Sequence, residues 1–195
     1  VVAAFRIDRC WNAICADVFG VVRMRLTVGF STTNSFISRA IRFFTGGKVS
    51  HSYVRFFDEF LRTELVFHAD KPVGCAMDDW AVFKQQNVVV NEFEIDDIRT
   101  LPAIQANLHK LRKRYDWRRI TSWAWFFTFK KWAKRKITSP TKDPKKLICV
   151  DFTLHILNRG FTDLPYNHFV PNTLEDWFIE NHEALGWKWS HKLES

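Results

Sequence analysis

Lys145-Lys146-Leu147-Ile148-Cys149-Val150-Asp151-Phe152-Thr153-Leu154-His155-Ile156-Leu157 is the stretch on which the reading of this chain turns. A proline-containing basic loop, Ser139 to Lys146, gives way there to an apolar run expected to be helical from about Ile148 to Asn158 and stopped by Gly160. A thiol at a helix start sits against the positive end of the peptide dipoles, which favours thiolate over thiol. Far upstream, Ser50-His51 opens the apolar segment Ser-Tyr-Val-Arg-Phe-Phe. A cysteine at a helix start and a histidine on a strand are the minimum for thiol nucleophilic catalysis. The competing reading is a buried helical cysteine with no chemistry to perform.

The chain of 195 residues is 47% hydrophobic, enough to bury one core. Nine Trp and nineteen Phe suit either a compact interior or an adhesive surface. The net charge of +8 favours anionic partners: nucleic acid, anionic lipid or an anionic wall polymer. The excess is local, since residues 110 to 146 hold fourteen Lys or Arg against two Asp. Cys10, Cys15, Cys75 and Cys149 show no paired spacing, so free thiols are expected, with no metal site and no cofactor. No apolar run is long enough for a transmembrane helix, and residues 1 to 22 lack the pattern of a signal peptide, so a soluble protein is expected.

Residues 25 to 30 alternate as a short strand would. Ser31 to Asn34 offer caps for a helix carrying Phe36, Ile37, Ala40, Ile41 and Phe44, stopped by Gly46-Gly47. His51 to Phe57 and Thr63 to His68 read as antiparallel neighbours, with Lys71 to Gly74 as a turn. Asn87 to Ile95 is the clearest strand. Ile104 to Arg114 reads as helical, as does Arg118 to Ile137. Thr173 is expected to cap a short helix running to Ile179. Cys10, Cys15 and Cys75 are expected to be inert, His155 structural, and His109, His168, His182 and His191 solvent-facing.

Several motifs taken in order resemble a family. Thr45-Gly46-Gly47-Lys48-Val49-Ser50-His51-Ser52-Tyr53-Val54, Val66-Phe67-His68-Ala69-Asp70 with the later Gly74, Tyr115-Asp116-Trp117, Ile148-Cys149-Val150-Asp151 followed by Gly160, and Val170-Pro171-Asn172-Thr173-Leu174 are similar to the circularly permuted papain-like cysteine hydrolases of the NlpC superfamily. The likeness spans residues 25 to 178. It implies an α+β fold, a small antiparallel sheet packed against the nucleophile helix, in a catalytic domain of residues 25–195. Residues 1–24 are left as an N-terminal extension.

The resemblance implies Cys149 as nucleophile, His51 as base and His68 as its orienter. The backbone N–H of Cys149 would serve a tetrahedral oxyanion. Two adjacent antiparallel strands can bring His51 and His68 together. Many members place Ser after the cysteine and an acid two residues on; here Val150 and Asp151 follow. A histidine at position 68, where many members have Glu, resembles the lecithin–retinol acyltransferase branch. Glu64, on the same face of a regular strand, is the alternative third residue.

The implied activity is cleavage of an amide bond through a thioester acyl-enzyme, with peptidoglycan peptides of a bacterial wall as substrate, in a bacterial or phage protein. The alternative is a lipid or acyl-chain thiol hydrolase or acyltransferase at an anionic membrane surface. The aromatic–basic segment 117 to 136, with Trp123, Trp125, Lys130 and Lys131, suits substrate or membrane contact; its simplest reading is an amphipathic helix against the core. Nucleic acid is the least favoured partner, because no reader motif is present. A noncatalytic basic binding module is the rival from another class.

Overall fold

A computed structural model describes residues 25–70, 74–96, 100–116, 146–158 and 170–193. The extension 1–24, the 71–73 turn, the aromatic–basic segment with Trp123, Trp125, Lys130 and Lys131, Gly160 and His168 lie outside the described residues. Among those described, the fold is mixed α and β, with a six-stranded, wholly antiparallel sheet and five α-helices.

The strands are β1 (Arg25–Thr32), β2 (His51–Asp58), β3 (Thr63–Asp70), β4 (Gly74–Asp79), β5 (Val88–Asp96) and β8 (Lys188–Lys192), in the order β4-β3-β2-β1-β5-β8. A two-residue parallel ladder joins β6 (Arg114–Tyr115) to β7 (Lys146–Leu147). The helices are α1 (Phe36–Thr45), α2 (Trp80–Gln86), α3 (Thr100–Gln105), α4 (Cys149–Asn158) and α5 (Pro171–Asn181).

Strand alternation sorts the sheet into two faces. Leu26, Val28, Phe30, Val54, Phe56, Phe67, Phe93 and Ile95 form one core with Cys149, Phe152 and Ile156 of α4 and with Leu174 and Phe178 of α5. The opposite face carries Tyr53 and Val66 beneath Phe83 and Trp80 of α2. That face is partly polar: Arg55 holds Glu92 through Nε (3.1 Å) and a second nitrogen (3.0 Å), pairs with Glu64, and lies 4.6 Å over the Trp80 ring. Tyr53 donates its hydroxyl to the same Glu92 at 2.9 Å.

The β2–β3 hairpin, α1 and β5 lie where the sequence places them. The cap of α1 is Ser35, which accepts from Ser38 N at 3.2 Å, because β1 continues through Thr32. Gly46 ends α1 in the left-handed region and donates to Arg42 O. The expected helix over Ile104 to Arg114 is broken instead. Buried Asn107 donates its amide to Ala103 O (2.7 Å) and His155 O (3.2 Å), leaving only a 3₁₀ turn at Leu108–Lys110. Arg112 then takes a positive φ, and residues 112 and 113 exchange backbone bonds with Cys75. Helix α5 is also longer than expected. Val170 occupies its N-cap position, Pro171 its first turn, and the Thr173 hydroxyl reaches back to Val170 N at 2.9 Å.

Strands β4, β6, β7 and β8 and helix α2 had no forecast. Strand β4 begins at Gly74, where φ is +87° and a Cβ would fall 2.0 Å from Lys113 O. Helix α2 is capped by Asp79, which accepts from Ala81 N and from the Thr63 hydroxyl, each at 2.7 Å. Those bonds, the Thr63 one first, hold the Asp79 carboxyl below its ordinary range. His182 is half-buried against Phe93 and Trp189 rather than in solvent, whereas His109 and His191 are exposed.

Candidate active site

His51 is the first residue of β2, and its ring stands edge to face with His68, 5.5 Å between centroids. The two are diagonal neighbours, since His68 pairs in register with Tyr53. Both rings rest against Phe83 of α2, at 6.2 and 5.2 Å. His68 Nε2 lies 2.8 Å from Asp78 Oδ2. The carboxylate therefore fixes the proton on Nε2 and leaves Nδ1 as an acceptor. His51 Nε2 and His68 Nδ1 are buried with no hydrogen-bond partner. Burial, and then the nearby His68, push His51 down to about 3, so its imidazole is neutral.

Cys149 begins α4 and is 2% exposed. Its sulfur is beside Ser52, the residue after His51, whose backbone N–H and hydroxyl, with the Val150 N–H, favour the thiolate. Ser52 Oγ also meets Thr153 Oγ1 at 3.2 Å, which ties the first turn of α4 to the start of β2. Despite the helix N-terminus and these donors, burial pushes the Cys149 thiol up to about 11. The resting group is a thiol. This corrects the expectation of a resting thiolate: desolvation outweighs the dipole at a site this closed.

The cysteine and the histidine are joined through neighbouring residues of β2, not to each other. Ser52 projects onto α4, whereas His51 and Tyr53 project onto α2. Sγ and the His51 ring are not hydrogen-bonded to one another. The structure thus brings His51, His68 and Asp78 into one chain and sets Cys149 against the strand beside it. Glu64 is not in that group, being held by Arg55 toward the far end of β2. Asp78 escaped sequence reasoning because β4 itself did; the acid-rich Asp78-Asp79 pair before Trp80 was the available signal.

A cavity of about 430 Å³ opens over His51, lined by Ser38, Ser50, Ile37, Ile41, Asn87 and Tyr115 among others. Ser38 Oγ and Ser50 Oγ are 2.5 Å apart, and Thr32 Oγ1 joins them at 3.1 Å from Ser38. Among the described residues of the lining, the only ionisable groups are His51 and the phenol of Tyr115. The β6–β7 ladder sets Tyr115 opposite Leu147, two residues before Cys149. His51 is among the lining residues described, and Cys149 is not.

Cys75 is the other described cysteine. It is buried and free, with burial pushing it up to about 12, as suits an inert packed thiol. Among the described residues no group of His, Cys, Asp or Glu is arranged to hold a metal ion, and no helix is long and apolar enough to cross a membrane. No family model matches the sequence, and no curated protein matches it.

Proposed function

We propose that this chain is a cysteine hydrolase of the permuted papain-like kind, cleaving an amide bond through a thioester. The observation that carries the reading is the meeting of the α4 N-terminus with the first residues of β2. It sets Cys149 beside Ser52 while His51, His68 and Asp78 form a directed chain under an open cavity.

In this reading the resting pair is neutral, thiol and imidazole. Catalysis in this reading requires substrate binding to rearrange the start of β2, because the His51 side chain and Sγ lie on opposite sides of that strand. Sγ attacks the carbonyl carbon as His51 takes the thiol proton, and the Cys149 N–H receives the oxyanion. His51 returns the proton to the departing amine. Water then attacks the thioester with His51 as base, restoring the thiol. Asp78 acts through His68, holding the tautomer that presents Nδ1 toward His51.

The resemblance points to peptidoglycan peptides as substrate, and an uncharged, hydroxyl-lined cavity suits a neutral peptide amide. One observation favours a second reading, a lipid or acyl-chain substrate: exposed phenylalanines on α1, the helix whose other face lines the cavity. Purified protein assayed on muropeptides and on acyl lipids in vesicles separates them by which product forms. Cys149→Ala is expected to abolish turnover on the true substrate at least about 10³-fold. Unchanged biological activity of that variant would overturn the enzyme and leave a binding module.

A further inference from the structure

Helix α1 is built inside out. Of its ten residues the only buried one is Ser38, whose hydroxyl meets Thr32 and Ser50 and accepts from Thr33 N. Two of its three phenylalanines point the other way: Phe36 is 76% exposed and Phe43 82%, whereas Phe44 is half-buried. Positions 36, 39 and 43 fall on one ridge of a helix, so exposed Arg39 stands between the two rings. Lys48 is exposed just beyond the helix C-terminus. From residue 25 to residue 57 the chain contains Arg25, Arg39, Arg42, Lys48 and Arg55 and no Asp or Glu.

We propose that the outer ridge of α1 docks onto a lipid bilayer bearing anionic headgroups. Two aromatic side chains with a cation between them, in a stretch of chain without acids, match the boundary between headgroup and acyl chain: the rings enter the apolar edge while the guanidinium meets phosphate. The charge is complementary to such a surface. The ridge is also too small for a stable second copy, because ten residues of helix give a strip about 15 Å long and about 10 Å wide, roughly 150 Å², well short of the roughly 800 Å² per partner of a standard interface. Ile37 and Ile41, on another face of the same helix, line the cavity over His51. The inference does not depend on Cys149 being a nucleophile.

The test is flotation of the 195-residue chain with vesicles of phosphatidylcholine alone and of phosphatidylcholine with phosphatidylglycerol. The expected result is binding to the anionic vesicles only, lost in high salt. Phe36→Ser with Phe43→Ser should weaken it at least tenfold without moving Tm. Arg39→Gln should weaken it about fivefold. Phe60→Ser, a 91% exposed ring in the β2–β3 turn, should stay within twofold of the parent. Binding of the double variant within twofold of the parent would overturn the proposal, as would equal binding to both vesicle types or binding to neither. A dimer in sedimentation that the double variant dissolves would reassign the ridge to contact between copies.

Discussion

The imidazoles of His51 and His68 meet edge to face with centroids 5.5 Å apart, although His68 is the register partner of Tyr53 and not of His51. The diagonal contact frees the other edge of His68 for Asp78 and turns His51 toward the cavity. The rings are coupled without a hydrogen bond between them, since His51 Nε2 and His68 Nδ1 both lack partners. Buried imidazoles without partners are costly to a fold, and a cavity beside them provides the place where that cost is recovered.

Asp78→Asn should leave stability nearly unchanged, because Asp78 is 45% exposed on its side chain. If Asp78 positions His68, kcat should fall about ten- to a hundredfold with KM little altered, the usual cost of removing a carboxylate that orients a working imidazole. The pH–rate profile should shift with it. An unaltered profile would assign Asp78 a structural role only.

Acid should destabilise the protein through His51. Its folded value, about 3, lies below the ordinary 6.5, so the unfolded chain binds more protons between those limits. Stability therefore falls as pH drops from about 6.5 toward about 3. Asp79, whose carboxyl is held low, loses stabilisation in the same direction. Comparing thermal melts of the parent and His51→Gln isolates the histidine: the variant should lose several degrees less between pH 7 and pH 4. Parallel curves would mean that the His51 ring is hydrated.

Alkylation of Cys149 by iodoacetamide should be slow at pH 7 and accelerate as pH climbs past 9 toward 11, because the resting group is a buried thiol. Cys75 should be slower still. Rapid labelling of Cys149 at neutral pH would show a populated thiolate, and with it an open site.

Glu92→Gln should cost about 2–3 kcal/mol in urea unfolding. The substitution removes the charge that both Arg55 nitrogens and the Tyr53 hydroxyl converge upon, on a face where Arg55 is only 15% exposed. Gly74→Ala should cost about 3 kcal/mol or more, from a positive φ and from the Lys113 carbonyl lying where the methyl would go.

Local pattern carried much of the architecture. Alternation in His51 to Phe57, Thr63 to His68 and Asn87 to Ile95, and the glycine after Thr45, are short-range signals, and each element formed within a residue or two of expectation. Asn107 shows where local pattern fails: its side chain competes for helix carbonyls, one of them 48 residues away at His155, which no window of sequence contains. Strand β4 likewise owes its place to pairing with β3 and to the backbone of residues 112 and 113.

The candidate site divides along the same line. The types and order of His51, His68 and Cys149 are written in the chain, and so is the start of a helix at Cys149. Their ionisation was decided by tertiary structure, because burial acts through atoms drawn from the whole fold: it raised the thiol, lowered the imidazole, and overrode the helix dipole that sequence alone would credit. Asp78 joined His68, and Glu64 went to Arg55, for the same reason, since cross-strand register chooses partners among residues that the chain keeps apart.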